Sequence, residues 1–529
     1  MNSAIDITSE QRKTLVDLVR QYIPGVAVWA YGSRVKWTAR PNSDLDLVVF
    51  TAPDQIQLVS ELKNDLAESE LPFLVDLHVW DEIPERFREI IRGEYVVIQE
   101  QKDEPRQLSP GSDWRISTWG EEISLEYGKA LRGYSSEKGE YRVYGSNGPI
   151  GWTGEPLAPG PGIILGRKGA YRGIQFCQEP FYVIDTAYYV VPKTELDMRW
   201  LYYAMAYYRL GEIDDGSPIP STTRSAVYVR ELEIPSPAEQ RKIAGILGAL
   251  DDRIELNRKL NETLEATARA IFKSWFVDFD PVRAKAEGRE PEGMDAATAA
   301  LFPDSFEFSE TGRLPQGWQF TTLGAEAQRH GGRIQTGPFG SQLHASDYVA
   351  EGVPVVMPQD LSNRRVSTAR VARIKESYAV RLSRHRLEVG DIIYSRRGDV
   401  ERHAQISIRE AGWLCGTGCL LVRMGPLWPS PAFISLALDR PETRAWISQH
   451  AIGATLPNLN TGILSAVPLI VPTESLLQAF TSVADPIEQL ISANNDQSHS
   501  LAIIRDTLLP RLISGKLRVP EAEAMLEAV

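Results

Sequence analysis

Asp44, Asp46 and Asp76, preceded by Gly32-Ser33, are the residues of this chain whose types and spacing can do chemistry. Ten residues separate Ser33 from Asp44, and Asp44-Leu-Asp46 reads as the start of a strand. Side chains alternate along a strand, so Asp44 and Asp46 share a face. Asp76 falls on the next predicted strand and can join them. Three hard carboxylate ligands suit Mg²⁺, which would bridge the triphosphate of a bound nucleotide. Gly32 permits close approach of backbone N–H groups to phosphate, and the Ser33 hydroxyl adds a donor. Asp76 can also accept the proton of an attacking hydroxyl. The candidate metal ligands are therefore Asp44, Asp46 and Asp76. The candidate cofactor contacts are Gly32, Ser33 and Arg34, and the candidate catalytic residues are Ser33 and Asp76. His78 shares a strand face with Asp76 but reads as a packed or exposed strand residue rather than a base.

The elements that must position these groups form a small α/β unit over residues 1–98. Val26–Tyr31, Leu45–Phe50 and Leu74–Val79 are β-branched or aromatic runs of strand length, and residues 54–70 have helical character. Residues 99–113 are polar, with Lys-Asp-Glu-Pro and Ser-Pro-Gly, and read as a linker.

The run Tyr31-Gly-Ser-Arg-Val-Lys-Trp-Thr-Ala-Arg-Pro-Asn-Ser-Asp-Leu-Asp46 resembles the minimal nucleotidyltransferases. The resemblance covers about 90 residues and implies use of Mg²⁺ with ATP or another nucleoside triphosphate. Relatives of that class act as antitoxins that transfer AMP to a toxin, or as antibiotic-modifying enzymes. Trp37 stands where relatives often carry glycine.

Downstream, a stretch returns in step 237 residues later. Gly216-Ser-Pro-Ile-Pro220 through Pro235-Ser-Pro237 is echoed by Gly453-Ala-Thr-Leu-Pro457 through Pro472-Thr-Glu474, and Asn257 matches Asn494. Two copies of one domain-plus-helix unit explain this better than a solenoid does. The helix after each copy carries a seam stepping by four and three: Ile243, Leu247, Leu250, Ile254, Asn257, Leu264 in one, and Phe480, Ala484, Ile487, Ile491, Asn494, Leu501 in the other. Matching Asn at both midpoints predicts that the two helices pair with each other, antiparallel.

The doubled order resembles the specificity (S) subunit of type I restriction–modification systems, over about residues 114–520. It is carried in the first copy by Val143-Tyr-Gly-Ser-Asn-Gly148, Gly162-Ile-Ile-Leu-Gly-Arg-Lys-Gly169 and Ile234-Pro-Ser-Pro-Ala-Glu-Gln240. In the second it is carried by Val353-Pro-Val-Val-Met-Pro-Gln-Asp360, Gly390-Asp-Ile-Ile-Tyr-Ser-Arg-Arg-Gly398 and Leu456-Pro-Asn-Leu-Asn460. The implied fold is a multidomain α/β and α+β chain. Its parts are the nucleotidyltransferase domain (1–98), the linker, target-recognition domain 1 (114–235), a central helix (236–285), a connector (286–317), target-recognition domain 2 (318–473) and a C-terminal helix (474–520). The two α/β recognition domains are separated by two long helices that pair as an antiparallel coiled coil. The resemblance also implies partners: double-stranded DNA, two methyltransferase (M) subunits that use S-adenosylmethionine, and restriction (R) subunits.

Each copy places a basic turn after a short apolar run, Arg167-Lys168-Gly169 and Arg396-Arg397-Gly398. Such cations neutralise phosphates or read guanine. Asn147 and Gln359 offer amides to base edges. Thr223 and Arg224 in one copy, and Asn458 and Asn460 in the other, lie at equivalent repeat positions. They read equally as DNA contacts or as braces of the basic turns.

Bulk properties set limits. The chain has 529 residues, a net charge of −13 and 43% hydrophobic residues. The acid is concentrated in residues 1–105, with 11 Lys and Arg against 19 Asp and Glu. Residues 316–471 carry 17 against 12, so a basic surface is available in the second copy, whereas residues 106–232 are near neutral at 14 against 15. That balance argues against indiscriminate nucleic-acid binding. No apolar run is long enough for a membrane span and no signal pattern is present. Cys177, Cys415 and Cys419 make no disulfide framework. A cytoplasmic setting is expected. Neither copy contains a methyltransferase motif, a Walker A loop or a nuclease cluster, so any catalysis of the chain itself belongs to the front domain. Two further readings stay open: an AMP-transferring antitoxin or regulator localised by a DNA-reading module, and a front domain that is inert scaffold.

Overall fold

A computed structural model describes the chain outside residues 1–4, 25, 41–42, 52–55, 70, 81–82, 84–87, 89–90, 92–93, 100–113, 135–137, 170, 214–219, 310–311, 341, 369–370, 454–456 and 528–529. Of the expected linker, residues 100–113 lie outside the described residues, as do parts of the loops that open the repeat. The chain divides into two compact units, Met1–Thr118 with Glu231–Ser236, and Trp119–Arg230 with Pro237–Val529.

The first unit holds a four-stranded sheet in the order β3-β2-β1-β4, from β1 (Val28–Tyr31), β2 (Leu45–Val49), β3 (Val75–Val79) and β4 (Val96–Gln99). β2 pairs antiparallel with β1 and parallel with β3. Helices α1 (Ser9–Tyr22) and α2 (Ile56–Glu68) cover one face. α1 begins at a capping box in which Thr8 and Gln11 satisfy each other's backbone N–H groups. Val28, Ala30, Leu45, Leu47, Val49 and Leu77 share a core with Leu15, Val19, Leu62 and Leu66 of the helices. One parity of each strand is thereby buried, and the other faces the opposite side. A separate two-stranded ladder pairs β5 (Arg115–Thr118) with Glu231–Ile234.

In the second unit, the first copy is built on an antiparallel sheet of β6 (Ile123–Tyr127), β9 (Gly162–Gly166), β10 (Ile174–Cys177) and β12 (Ala187–Pro192), in the order β10-β9-β12-β6. Beside it lies a small sheet of β7 (Tyr141–Gly145), β8 (Gly148–Thr153) and β11 (Phe181–Val183). The second copy repeats the main sheet with Arg333–Thr336, Cys419–Arg423, Ile392–Ser395 and His403–Gln405.

Helix α3 (Met198–Tyr207) of the first copy is fastened to the N-terminal half of α4 (Pro237–Phe276). The Arg199 guanidinium donates to both carboxylate oxygens of Asp252, at 2.8 and 2.7 Å, and the Tyr203 hydroxyl to Asp251 at 2.6 Å. The C-terminal half of α4 enters the core of the second copy, where Phe272, Trp275 and Phe276 meet Phe433 and, from α6 (Glu474–Ile513), Phe480. Phe433 belongs to α5 (Pro431–Asp439). α4 and α6 touch along their length. The Asn257 side-chain amide donates to the Asn494 carbonyl at 3.3 Å, and Arg505 pairs with Asp251 at 2.6 Å. α4 spans Pro237–Phe276, within one residue of the 237–275 that its seam of apolar positions predicts, and Phe279 at φ +58° precedes a separate helix, Asp280–Ala286. α6 ends at Ile513 before Gly515, at φ +67°. Among the described residues no helix is long and apolar enough to cross a membrane.

Candidate functional site

On the face of the front sheet away from α1 and α2, register brings the predicted residues together. Tyr31 is opposite Asp46 across the β1–β2 pair, and Asp46 is opposite Asp76 across the β2–β3 pair. Asp44, one residue before β2, has the parity of Asp46 and is exposed. Gly32 sits at φ +83°, where other residues are strained, and a Cβ there would crowd the Asp46 carboxylate, so the position favours glycine. Burial, then the carboxylates of Asp76 and Asp44, push Asp46 above the usual carboxylate range, while His78 pulls the other way. Burial, then the carboxylates of Asp46 and Asp76, push the Tyr31 phenol up. The His78 Nε2 lies 3.1 Å from the Asp76 Oδ2.

Among the described residues, no three Asp, Glu, His or Cys side chains stand close enough to enclose a cation. The row nevertheless fits one chemically. Burial and the charges of Asp76 and Asp44 make Asp46 costlier to ionise, which a divalent cation would relieve, and the space that glycine leaves at position 32 borders the Asp46 carboxylate.

Arg34, expected to contact the cofactor, is used otherwise. It is 6% exposed and donates to the Ser43 carbonyl at 3.0 and 2.7 Å and to the Asp6 carbonyl at 3.0 Å. Its guanidinium also lies 4.0 Å from the centre of the Phe73 ring. These bonds brace the turn that presents Gly32 and Ser33. The sequence reading missed an aromatic cluster on the carboxylate face, where Trp29 stacks on Tyr95 at 3.9 Å and meets Phe50 at 4.4 Å and Trp80 at 5.8 Å. Alternation from Asp46 to Phe50, from Asp76 to Trp80 and from Tyr31 to Trp29 was the signal for it.

In the second unit, both basic turns are braced by one shared frame. The Arg167 N–H donates to the Thr186 carbonyl at 3.0 Å, the Thr222 N–H to the Arg167 carbonyl at 2.9 Å, and the Gly169 N–H to the Pro220 carbonyl at 3.0 Å. The second copy answers with Arg396 to Gly418 at 2.8 Å, Leu459 to Arg396 at 2.8 Å, and Gly398 to Pro457 at 3.1 Å. Lys168 bridges Ser221 as Arg397 bridges Asn458. Thr223 and Asn460 are matched helix caps, accepting from the N–H groups of Ala226 at 3.3 Å and Ile463 at 2.8 Å. Their side-chain oxygens are thus committed to the scaffold.

What the frame carries differs between the copies. In the first, the guanidinium groups of Arg224 and Arg167 lie 4.1 and 4.9 Å from the ring centre of Tyr127, a residue the sequence reading did not single out. In the second, the Arg396 Nε donates to the Leu459 carbonyl at 3.3 Å. Lys168, Arg397, Asn147 and Gln359 are exposed, whereas Arg167, Arg224, Arg396 and Asn458 are half-buried. Asn147 lines an open cleft with Tyr171, Arg172 and Glu212.

Comparison with known proteins follows the same division. Residues 13–104 match the family described as polymerase beta, nucleotidyltransferase, and residues 112–266 match the type I restriction modification DNA specificity domain. The type I restriction enzyme HindI specificity subunit of Haemophilus influenzae is 26% identical over 388 residues, covering 64% of this chain and 81% of that one. The probable protein adenylyltransferase MntA of the same organism is 44% identical over 99 residues, covering 18% of this chain and 87% of that one. The crystal structure of the type I restriction-modification S subunit from M. genitalium aligns with a TM-score of 0.47 at 19% identity, over 77% of this chain and 97% of that one.

Proposed function

We propose, for a chain homologous to type I restriction enzyme specificity subunits whose N-terminal domain belongs to the MntA nucleotidyltransferases, that its two copies read the two halves of a divided DNA site. The observation that carries this reading is the repeated frame with unlike side chains. One scaffold holds Arg167-Lys168 beside Tyr127 and Arg224, and holds Arg396-Arg397 beside Asn458 and Leu459. A reader built twice with different contents recognises two different half-sites. Lys168 and Arg397 meet phosphate or guanine, and Asn147 and Gln359 meet base edges. Thr223, Arg224, Asn458 and Asn460 support these contacts as much as they extend them.

The pairing of α4 and α6 acts as an antiparallel coiled coil that spaces the readers. Each helix has 40 residues, about 60 Å at the rise of an α-helix. The expected partners are two methyltransferase subunits, which bring S-adenosylmethionine and the methylation chemistry, and the restriction subunits. Because phosphate contacts supply much of the affinity for DNA and the first copy is near neutral, the chain alone binds weakly and its complex with the methyltransferase binds tightly. Co-expression with an adenine methyltransferase tests this. The account expects a stable complex whose affinity for a divided site exceeds that of either part, and a chain that never co-purifies with the methyltransferase refutes it.

In the front domain, Asp44, Asp46 and Asp76 are the residues to hold Mg²⁺, with Gly32 and Ser33 toward the phosphates of ATP or a related triphosphate. A bound Mg²⁺ would neutralise phosphate charge and orient the triphosphate. Asp76 would take the proton of an acceptor hydroxyl. Asp44→Asn with Asp46→Asn should abolish Mg²⁺-dependent nucleotide binding while leaving methylation intact. Loss of methylation in a folded double variant would instead put nucleotidyl chemistry inside the DNA-modifying cycle. The row of carboxylates also favours a second reading, in which the chain transfers AMP to another protein and the DNA reader localises it. Labelled ATP with Mg²⁺ and cell extract separates the two, because only the second reading requires a labelled acceptor.

A further inference from the structure

Residues 32–38 make one helical turn that closes in an unusual way. The Lys36 N–H donates to the Gly32 carbonyl at 3.1 Å, and the Thr38 N–H reaches back to the Ser33 carbonyl at 3.0 Å. That second bond, spanning five residues, belongs to the motif in which a left-handed residue, usually glycine, ends a helix. Here the left-handed residue is Trp37, at φ +56°. A bulky side chain is disfavoured in that conformation. Packing does not repay the strain, since the indole is 56% exposed and joins none of the ring pairs among the described residues of this unit. Strain of this kind persists at ligand clamps. The turn that carries it starts at Gly32 and Ser33, beside the carboxylate row.

We infer that Trp37 is the platform on which the base of a bound nucleotide stacks. The inference rests on the reading of Asp44, Asp46 and Asp76 as a metal–nucleotide site. It adds the class of ligand that the site prefers: a nucleotide with an aromatic base, over a bare polyphosphate. Stacking on an indole tolerates any base because every base has a π face, so the preference is for a base as such, with purines ahead of pyrimidines by ring area.

The test measures binding of two probes to the full chain in Mg²⁺ by calorimetry: the β,γ-methylene analogue of ATP, and inorganic tripolyphosphate. Trp37→Gly should weaken binding of the analogue about tenfold, equivalent to about 1.4 kcal/mol, and leave tripolyphosphate unchanged. Trp37→Phe should keep most of the affinity. Glycine suits this backbone better than tryptophan, so lost binding in Trp37→Gly cannot be ascribed to misfolding, and circular dichroism checks this. Unchanged or tighter binding of the analogue to Trp37→Gly would overturn the inference, the latter marking the indole as an obstruction. Asp44→Asn with Asp46→Asn separates the two levels. If it binds both probes as the unaltered chain does, or if the unaltered chain binds neither, the metal–nucleotide reading fails and the inference falls with it.

Discussion

Asp251 and Glu488 occupy the same position in the two copies, and each receives a side chain from the globular part of its own copy. Asp251 accepts from the Tyr203 hydroxyl at 2.6 Å, and Glu488 from the Arg364 guanidinium at 2.9 Å. The repeat has thus kept an acidic docking point on each long helix while changing what docks there. In the second copy the docking is ionic and buried. Arg364 and Arg365 are shared between Glu488 of α6 and Glu265 of α4, with Arg364 2% exposed and both glutamates 9%. The turn that delivers them is strained, with Asn363 at φ +47° and Arg364 at φ +61°.

Buried Arg364 and partly buried Arg365 face two buried carboxylates there, so removing one carboxylate leaves charge uncompensated. Glu488→Gln should destabilise the second copy by about 3 kcal/mol. Asp251→Asn, which mainly weakens one bond from a neutral phenol and one from half-exposed Arg505, should cost about 1 kcal/mol. Urea denaturation of the two variants checks the order. Equal losses would mean that the ionic network adds nothing beyond ordinary hydrogen bonding.

Acid should act on the second copy first. Burial, with Arg364 nearby, pushes His403 down to about 4, and burial with Arg384 and Arg333 pushes His385 down to about 4, from an ordinary 6.5. Both imidazoles therefore stay neutral in the fold where the unfolded chain would bind protons. The stability this represents is whole above pH 6.5 and drains away as the pH falls toward 4. His403→Phe should reduce the slope of stability against pH in that window by up to about 1.4 kcal/mol per pH unit. Denaturation midpoints taken across the window provide the slope, and an unaltered slope would contradict the assignment.

For DNA binding, exposure ranks the basic residues. Arg397 is exposed, whereas the Arg396 Nε is held by the Leu459 carbonyl. With the methyltransferase bound, Arg397→Ala should lower affinity and reduce the salt slope by about 1, and Arg396→Ala should do less to the slope. Fluorescence anisotropy over a salt series measures both. An unchanged slope for Arg397→Ala removes it from the contacts.

The limits of the sequence reading are physical. Strands β1, β2 and β3 lie within two residues of their expected places because alternation and β-branching mark a half-buried strand. The two long helices were legible because their seams repeat in register. α1 went unread because its segment is mostly polar, although its Thr8–Gln11 capping box was visible. Arg34 looked like a phosphate contact from its neighbours in sequence, but its bonds go to Ser43 and Asp6, and its packing on Phe73 bridges 39 residues that no local pattern connects. The fates of Thr223 and Asn460 depended on whether a short helix follows each, which periodicity over five residues cannot reveal. Trp37 was noticed as a departure from glycine, and only the backbone angle explains why glycine belongs there.

The central claim is that one chain carries two unlike readers. Methylome sequencing of cells that express this chain with its methyltransferase tests it most directly. The account predicts methylation at an asymmetric site of two specific parts separated by a fixed, unspecified gap. It further predicts that Arg397→Ala relaxes one part and Lys168→Ala the other. A single continuous palindrome, or no methylation when the complex forms, would contradict it.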